Sequence, residues 1–144
     1  MQLAQTAQPG SGLSLEQISL LKDRLHAERN RLMERLTTRR RALATPFVRE
    51  SEDGDWASAS VDQSLLVRLV DRDAKLLTEI DRALGKMAAG TYGTCEQSGD
   101  PVGFDRLAAR PWARYATAVK ESRERAEVKR RGEEALEEDA ADLP

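Results

Sequence analysis

Residues 15–44 read LEQISLLKDRLHAERNRLMERLTTRRRALA, and this stretch decides the fold. Its apolar residues Ile18, Leu21, Leu25, Leu32, Leu36 and Leu43 are three, four or seven positions apart. That spacing puts them on one face of an α-helix, and neither Gly nor Pro interrupts the run. Ser14 and Gln17 form the N-terminal signature of a capping box. Thr45-Pro46 disfavours continuation at the other end. Thirty residues at about 1.5 Å each make a rod of roughly 45 Å.

Working outward, the pattern returns from about Ala59 to Ala89 at Leu66, Leu69, Leu76, Ile80, Ala83, Leu84 and Met87, with Gly90 placed to cap the helix. Asp73 occupies a seam position in this segment and Arg39 one in the first, where charge fixes register at a cost in stability. Two long helices around one short break predict an antiparallel hairpin. The break, residues 50–58, is a turn by its Asp, Gly and Ser content. Residues 1–13 read as a flexible leader. After Gly90 the period is lost to Arg110, and Gly93, Gly99, Pro101 and Gly103 predict a compact non-helical knuckle. Pro111 suits the first position of a third helix through Trp112, Tyr115, Val119 and Arg123. The last stretch, 131–144, reads as a frayed acidic tail. The expected fold class is all-α dominated: a long coiled-coil hairpin (14–90), then a small globular region with a C-terminal helix (91–130).

Composition narrows the function. The chain has 144 residues, 23 basic against 25 acidic, with aromatics at only 4%. Near-neutral charge and dispersed basic residues argue against direct DNA binding. No apolar run is long enough for a bilayer, and the first twelve residues are too polar for a secretory signal, so a cytoplasmic monomer is expected. One His, one Cys and no glycine-rich phosphate loop leave little for an enzyme to work with.

The turn is unusual. Four of the six residues from Glu50 to Asp55 are carboxylates, and Trp56 follows them. An aromatic ring at the end of a thin hairpin has no core to enter, so it predicts a surface that docks into something. A narrow rod with a negative tip can reach into a deep cleft.

Three runs then carry a resemblance: Ile80-Asp81-Arg82-Ala83-Leu84, Gly90-Thr91-Tyr92-Gly93-Thr94-Cys95-Glu96-Gln97-Ser98-Gly99, and Arg106-Leu107-Ala108-Ala109-Arg110-Pro111. Together they resemble the DksA/TraR family of RNA polymerase-binding transcription factors, with its G-x-Y-G-x-C-x-x-C-G and R-L-x-A-x-P patterns. The family's tip, D-x-x-D-x-A, is matched at Glu52, Asp55 and Ala57. The resemblance implies that the tip, Glu52, Asp53, Asp55, Trp56 and Ala57, enters the polymerase secondary channel and faces its active site. Trp56 departs from the usual polar or basic residue. The family's zinc cysteines fall here on Cys95, Ser98, Ala116 and Val119. One thiol cannot make a tetrahedral site, so no zinc is expected and packing around Phe104, Leu107, Trp112 and Tyr115 is expected to serve in its place. The resemblance also implies a ppGpp site at the polymerase interface, on Leu76, Arg110 and Lys120, with Glu79 where a basic residue would help. Two other readings stay open: a Gre-like transcript-cleavage factor, and a coiled-coil adaptor without polymerase binding.

Overall fold

The computed structural model describes residues 10–45 and 53–141, with the side chains of 53–59 left aside. It holds four helices: α1 (Leu15–Ala44), α2 (Asp53–Ala89), α3 (Phe104–Ala109) and α4 (Thr117–Ala141). The capping box starts α1: the Gln17 backbone N–H donates to Ser14 Oγ at 3.1 Å, and the Ser14 N–H donates to Gln17 Oε1 at 2.9 Å. At the other end the Thr45 N–H donates to the Arg41 carbonyl.

α1 and α2 pair antiparallel, because Arg29 meets Asp81 at 2.7 Å while Arg35, further along α1, meets the earlier Asp73 at 2.8 Å. Leu21, Leu25 and Leu32 are fully buried against Ile80 and Ala83, and Tyr92, Val102 and Leu107 from the knuckle join the same cluster. Each buried leucine or isoleucine contributes about 1.5–3 kcal/mol. The core therefore sits where α1 begins and α2 ends. Among the described side chains none is buried on α1 after Leu36 or on α2 before Asp73.

Asp73 marks that boundary. It is only 3% exposed, and Arg35 grips it with both Nε (2.9 Å) and Nη2 (2.8 Å), while Arg39 donates to it from the next turn. The hydrogen bond from Arg35 holds the carboxyl below its usual pKa; burial opposes this, and the charges of both arginines reinforce it. The seam charge expected to set register is thus a two-arginine clasp.

Four expectations change. The second helix starts at Asp53, not near Ala59, so most of the supposed turn is helical; acidic residues in a first turn suit the positive end of the helix dipole. The leader is not wholly loose, because Ser11 and Leu13 are buried. Pro111 does not open a helix: the helix in this region precedes it (Phe104–Ala109), and the next begins at Thr117. The Pro111 carbonyl accepts from the Tyr92 hydroxyl and the Arg114 carbonyl from the Glu96 N–H, so both are engaged by the knuckle instead of by a helical turn. Finally, α4 runs through the supposed tail to Ala141 with no buried side chain. Ion pairs one turn apart line it, including Arg131–Glu127 at 2.7 Å.

Candidate functional site

Two regions received functional expectations, the tip and the knuckle. Glu52 lies outside the described residues. Asp53, Asp55, Trp56 and Ala57 fall in the opening turns of α2, about 55 Å of helix from the knuckle.

The knuckle is built on tight backbone turns. Thr94 and Pro101 form an isolated antiparallel bridge, flanked by hydrogen bonds from the Val102 N–H to the Gly93 carbonyl (2.9 Å) and from the Cys95 N–H to the Asp100 carbonyl (2.7 Å). Gly93 has φ +87°, and a Cβ there would stand 2.8 Å from Leu13 Cδ1 and 2.9 Å from Ser11 Cβ. Only glycine fits both the left-handed backbone and that approach. Tyr92, the largest buried side chain, donates its hydroxyl to the Pro111 carbonyl at 2.8 Å; burial pushes its pKa far up.

Of the four positions matched to zinc ligands, Cys95 is buried, Ser98 is exposed, and Ala116 and Val119 are half-buried. Burial alone would raise the Cys95 pKa. The Ser98 hydroxyl and the backbone N–H groups of Ser98, Ala116 and Gln97 outweigh it and bring the thiol to about 7. The turn thus still presents N–H donors to sulfur. A tetrahedral zinc needs four ligands; here one sulfur stands with a hydroxyl and two hydrocarbon side chains. Among the described residues no three His, Cys, Asp or Glu side chains cluster to hold a metal. The residues present do not fit zinc.

What crosses between the two loops is an ionic clamp that the sequence reading missed. Glu96 receives Lys86 Nζ from α2 at 2.6 Å and Arg114 Nη2 at 2.7 Å, with Arg114 Nε at 2.8 Å. The Glu96 N–H donates to the Arg114 carbonyl (3.0 Å), and Arg123 of α4 donates to Gln97 (3.3 Å). Burial would raise the Glu96 pKa, but hydrogen bonds from Arg114 and Lys86 and their charges hold it at about 2. Its one signal in the sequence is that Glu96 is the sole charge between Thr91 and Gly99.

Beside the clamp lies a cleft of about 250 Å³. It is lined by Arg106 and Arg110, by Trp112 to Tyr115, by Lys120, Arg123, Glu124 and Glu127 of α4, and by Glu79 of α2. Arg123 lies over the Tyr115 ring at 4.5 Å. Arg110 and Lys120, expected to act together, are thus brought to one place. Leu76 is not among the lining residues; it packs half-buried against the core. Tyr115 also faces the cleft, whereas Leu107 is fully buried and Phe104 and Trp112 pack on the core. Five cations around one concavity can hold a multiply charged anion.

A helical hairpin bearing a finger-like module with one cysteine is the class that fold and site define. The family model for the prokaryotic dksA/traR C4-type zinc finger matches residues 90–125. The RNA polymerase-binding transcription factor DksA of Caulobacter vibrioides is 44% identical over 73 residues, 51% of each chain. DksA of Salmonella typhimurium is 35% identical over 100 residues, 67% of this chain and 64% of that one. The solved structure of transcription factor DksA2 from Pseudomonas aeruginosa matches with a TM-score of 0.66 and 35% identity, covering 78% of this chain and 86% of its own. The chain belongs to the DksA/TraR family. It spans about half the length of the Caulobacter relative it matches.

Proposed function

We propose that the protein binds bacterial RNA polymerase and regulates transcription, acting as a regulator and not as an enzyme. The observation that carries this reading is the hairpin. Its helices of 30 and 37 residues leave the core at one end and carry an acid-rich segment at the other. Such a shape suits a passage too narrow for a globular domain, and the secondary channel of the polymerase is that passage. Glu52, Asp53 and Asp55 would carry charge to elements near the catalytic centre, with Trp56 adding apolar contact and Ala57 allowing close approach. The knuckle and α4 stay at the channel rim. The cleft that unites Arg110 and Lys120 supports a ppGpp contact at that rim, completed by polymerase residues. Among the described residues no helix is long and apolar enough to cross a membrane.

The test is in vitro transcription from a ribosomal RNA promoter with wild type, Asp55→Asn and Glu52→Gln/Asp55→Asn. The double variant is expected to co-purify with core polymerase yet lose its effect on RNA yield. Equal activity of wild type and double variant overturns the tip mechanism. Failure of the wild type to bind polymerase overturns the whole reading. Shortened transcripts would favour a cleavage factor.

A further inference from the structure

Every residue of α4 from Glu121 to Ala141 is exposed. Two of them are large and apolar: Val128 is 71% exposed and Leu136 70%. They belong to one stripe. Arg125, Val128, Gly132, Ala135 and Asp139 recur at alternating steps of three and four, the spacing of a two-helix seam, and Leu136 flanks them. The residues of α4 that line the cleft, Lys120, Arg123, Glu124 and Glu127, point to a different side of the helix.

The helix is also electrically lopsided. Residues 117–131 carry six bases and three acids, whereas residues 133–139 carry five acids and no base. Pairing along the helix answers only part of this. Glu133 meets Lys129 and Glu134 meets Arg130, both at 3.8 Å. Glu137, Glu138 and Asp139 enter no ion pair among the described residues. They stand at the negative end of the helix dipole, and the last turn holds no basic residue to offset it. Arg125, near the other end of the stripe, reaches Glu121 only at 3.9 Å.

We infer that this face of α4 pairs with the same face of a second copy, antiparallel, about a two-fold axis at Gly132. In that register Val128 meets the partner's Leu136 and Arg125 meets the partner's Asp139, and each contact occurs twice. Gly132 has no side chain to hold the helices apart at the crossing, and an added Cβ there meets nothing within 4 Å in one copy alone. The antiparallel sense follows from the charges. It lays the basic half of each helix along the acidic half of the other and brings cations to each negative helix end. A parallel pair sets Arg125 against Arg125 and Asp139 against Asp139. The stripe from Arg125 to Asp139 is about 21 Å long. Its area falls short of a standard interface, so the dimer is weak, with Kd on the order of 100 µM. The monomer expected from the sequence is then the dilute form. The pairing uses neither the tip nor the cleft and does not rest on the polymerase reading.

Sedimentation velocity of the full chain at low salt, without polymerase, tests this between about 10 µM and about 1 mM. Wild type is expected to move from the 16.0 kDa monomer toward twice that mass as concentration rises. Val128→Glu with Leu136→Glu is expected to stay monomeric. Arg125→Asp and Asp139→Arg are each expected to weaken association about tenfold, and the two together to restore it to within about threefold of wild type. Arg130→Asp makes the same charge change off the stripe and is expected to match wild type. Circular dichroism checks that each variant keeps its helices. A wild type that is monomeric throughout overturns the inference. So does association that survives Val128→Glu with Leu136→Glu, because the contact then lies elsewhere. A double swap that fails to recover, or an Arg130→Asp that weakens as much as Arg125→Asp, overturns the antiparallel register.

Discussion

Among the described residues two carboxylates are each gripped by a pair of cations, and they do different work. Asp73 sits in the seam of the hairpin, between helices that leucines have already brought together on the core side. Glu96 sits in the knuckle and joins three separate pieces of chain: α2, the turn after Cys95, and the loop before α4. Removing the first should loosen a rod beyond its last buried leucine. Removing the second should free two loops from each other, because the thiolate cage that defines the family's finger has been reduced to one sulfur. Removing the acid costs more where it is fully buried, as at Asp73, than at the partly exposed Glu96, because the deeper site leaves its cations less water to turn to.

Four substitutions or treatments separate these roles. The largest effect is expected from Asp73→Ala, which leaves Arg35 and Arg39 facing each other and should cost about 3 kcal/mol in denaturant unfolding. Asp73→Leu with Arg39→Leu should recover most of that loss; failure to recover would mean the clasp contributes beyond packing. Next is Glu96→Gln, expected to cost about 2 kcal/mol by stranding Lys86 and Arg114. Its pH dependence has a definite sign. The folded carboxyl sits at about 2 against an ordinary 4.5, so the clamp contributes fully above pH 4.5 and is lost as pH falls toward 2. Wild type and Glu96→Gln should therefore converge in stability across that interval, and parallel curves would show that Glu96 is not the titrating link. The smallest effect is expected from a chelator: EDTA should leave the melting temperature unchanged, and elemental analysis should find far less than one zinc per chain. A stoichiometric metal would reverse the ligand argument and shrink the role of the clamp.

The sequence made the hairpin legible because its evidence is local. Ser14 and Gln17 announce the start of α1, and the leucine spacing alone identifies the face that packs. The knuckle was legible only in outline. Phe104 to Ala109 is too short for a period to appear, and Pro111 imitates a helix start because its own carbonyl is claimed by Tyr92 nineteen residues earlier. Glu96 gives no local signal for the same reason: its partners lie ten residues before it and eighteen after it. The acidic segment misled in the opposite direction, since Asp, Gly and Ser suit a turn and a helix start equally well. The resemblance pairs Arg110 and Lys120, and the fold brings them to one cleft; it groups Leu76 with them, but Leu76 packs against the core.

The contact between Gly93 and Leu13 ties the fate of one position to the other. Leu13 occupies the space where a side chain at 93 would stand, so the finger turn is finished by a residue from eighty positions upstream. Trimming the chain to the first residue of α1 would strip a buried leucine and leave a furrow over the turn. A larger residue at 93 becomes admissible only when both Leu13 and Ser11 give way, and even then the backbone there must be reshaped.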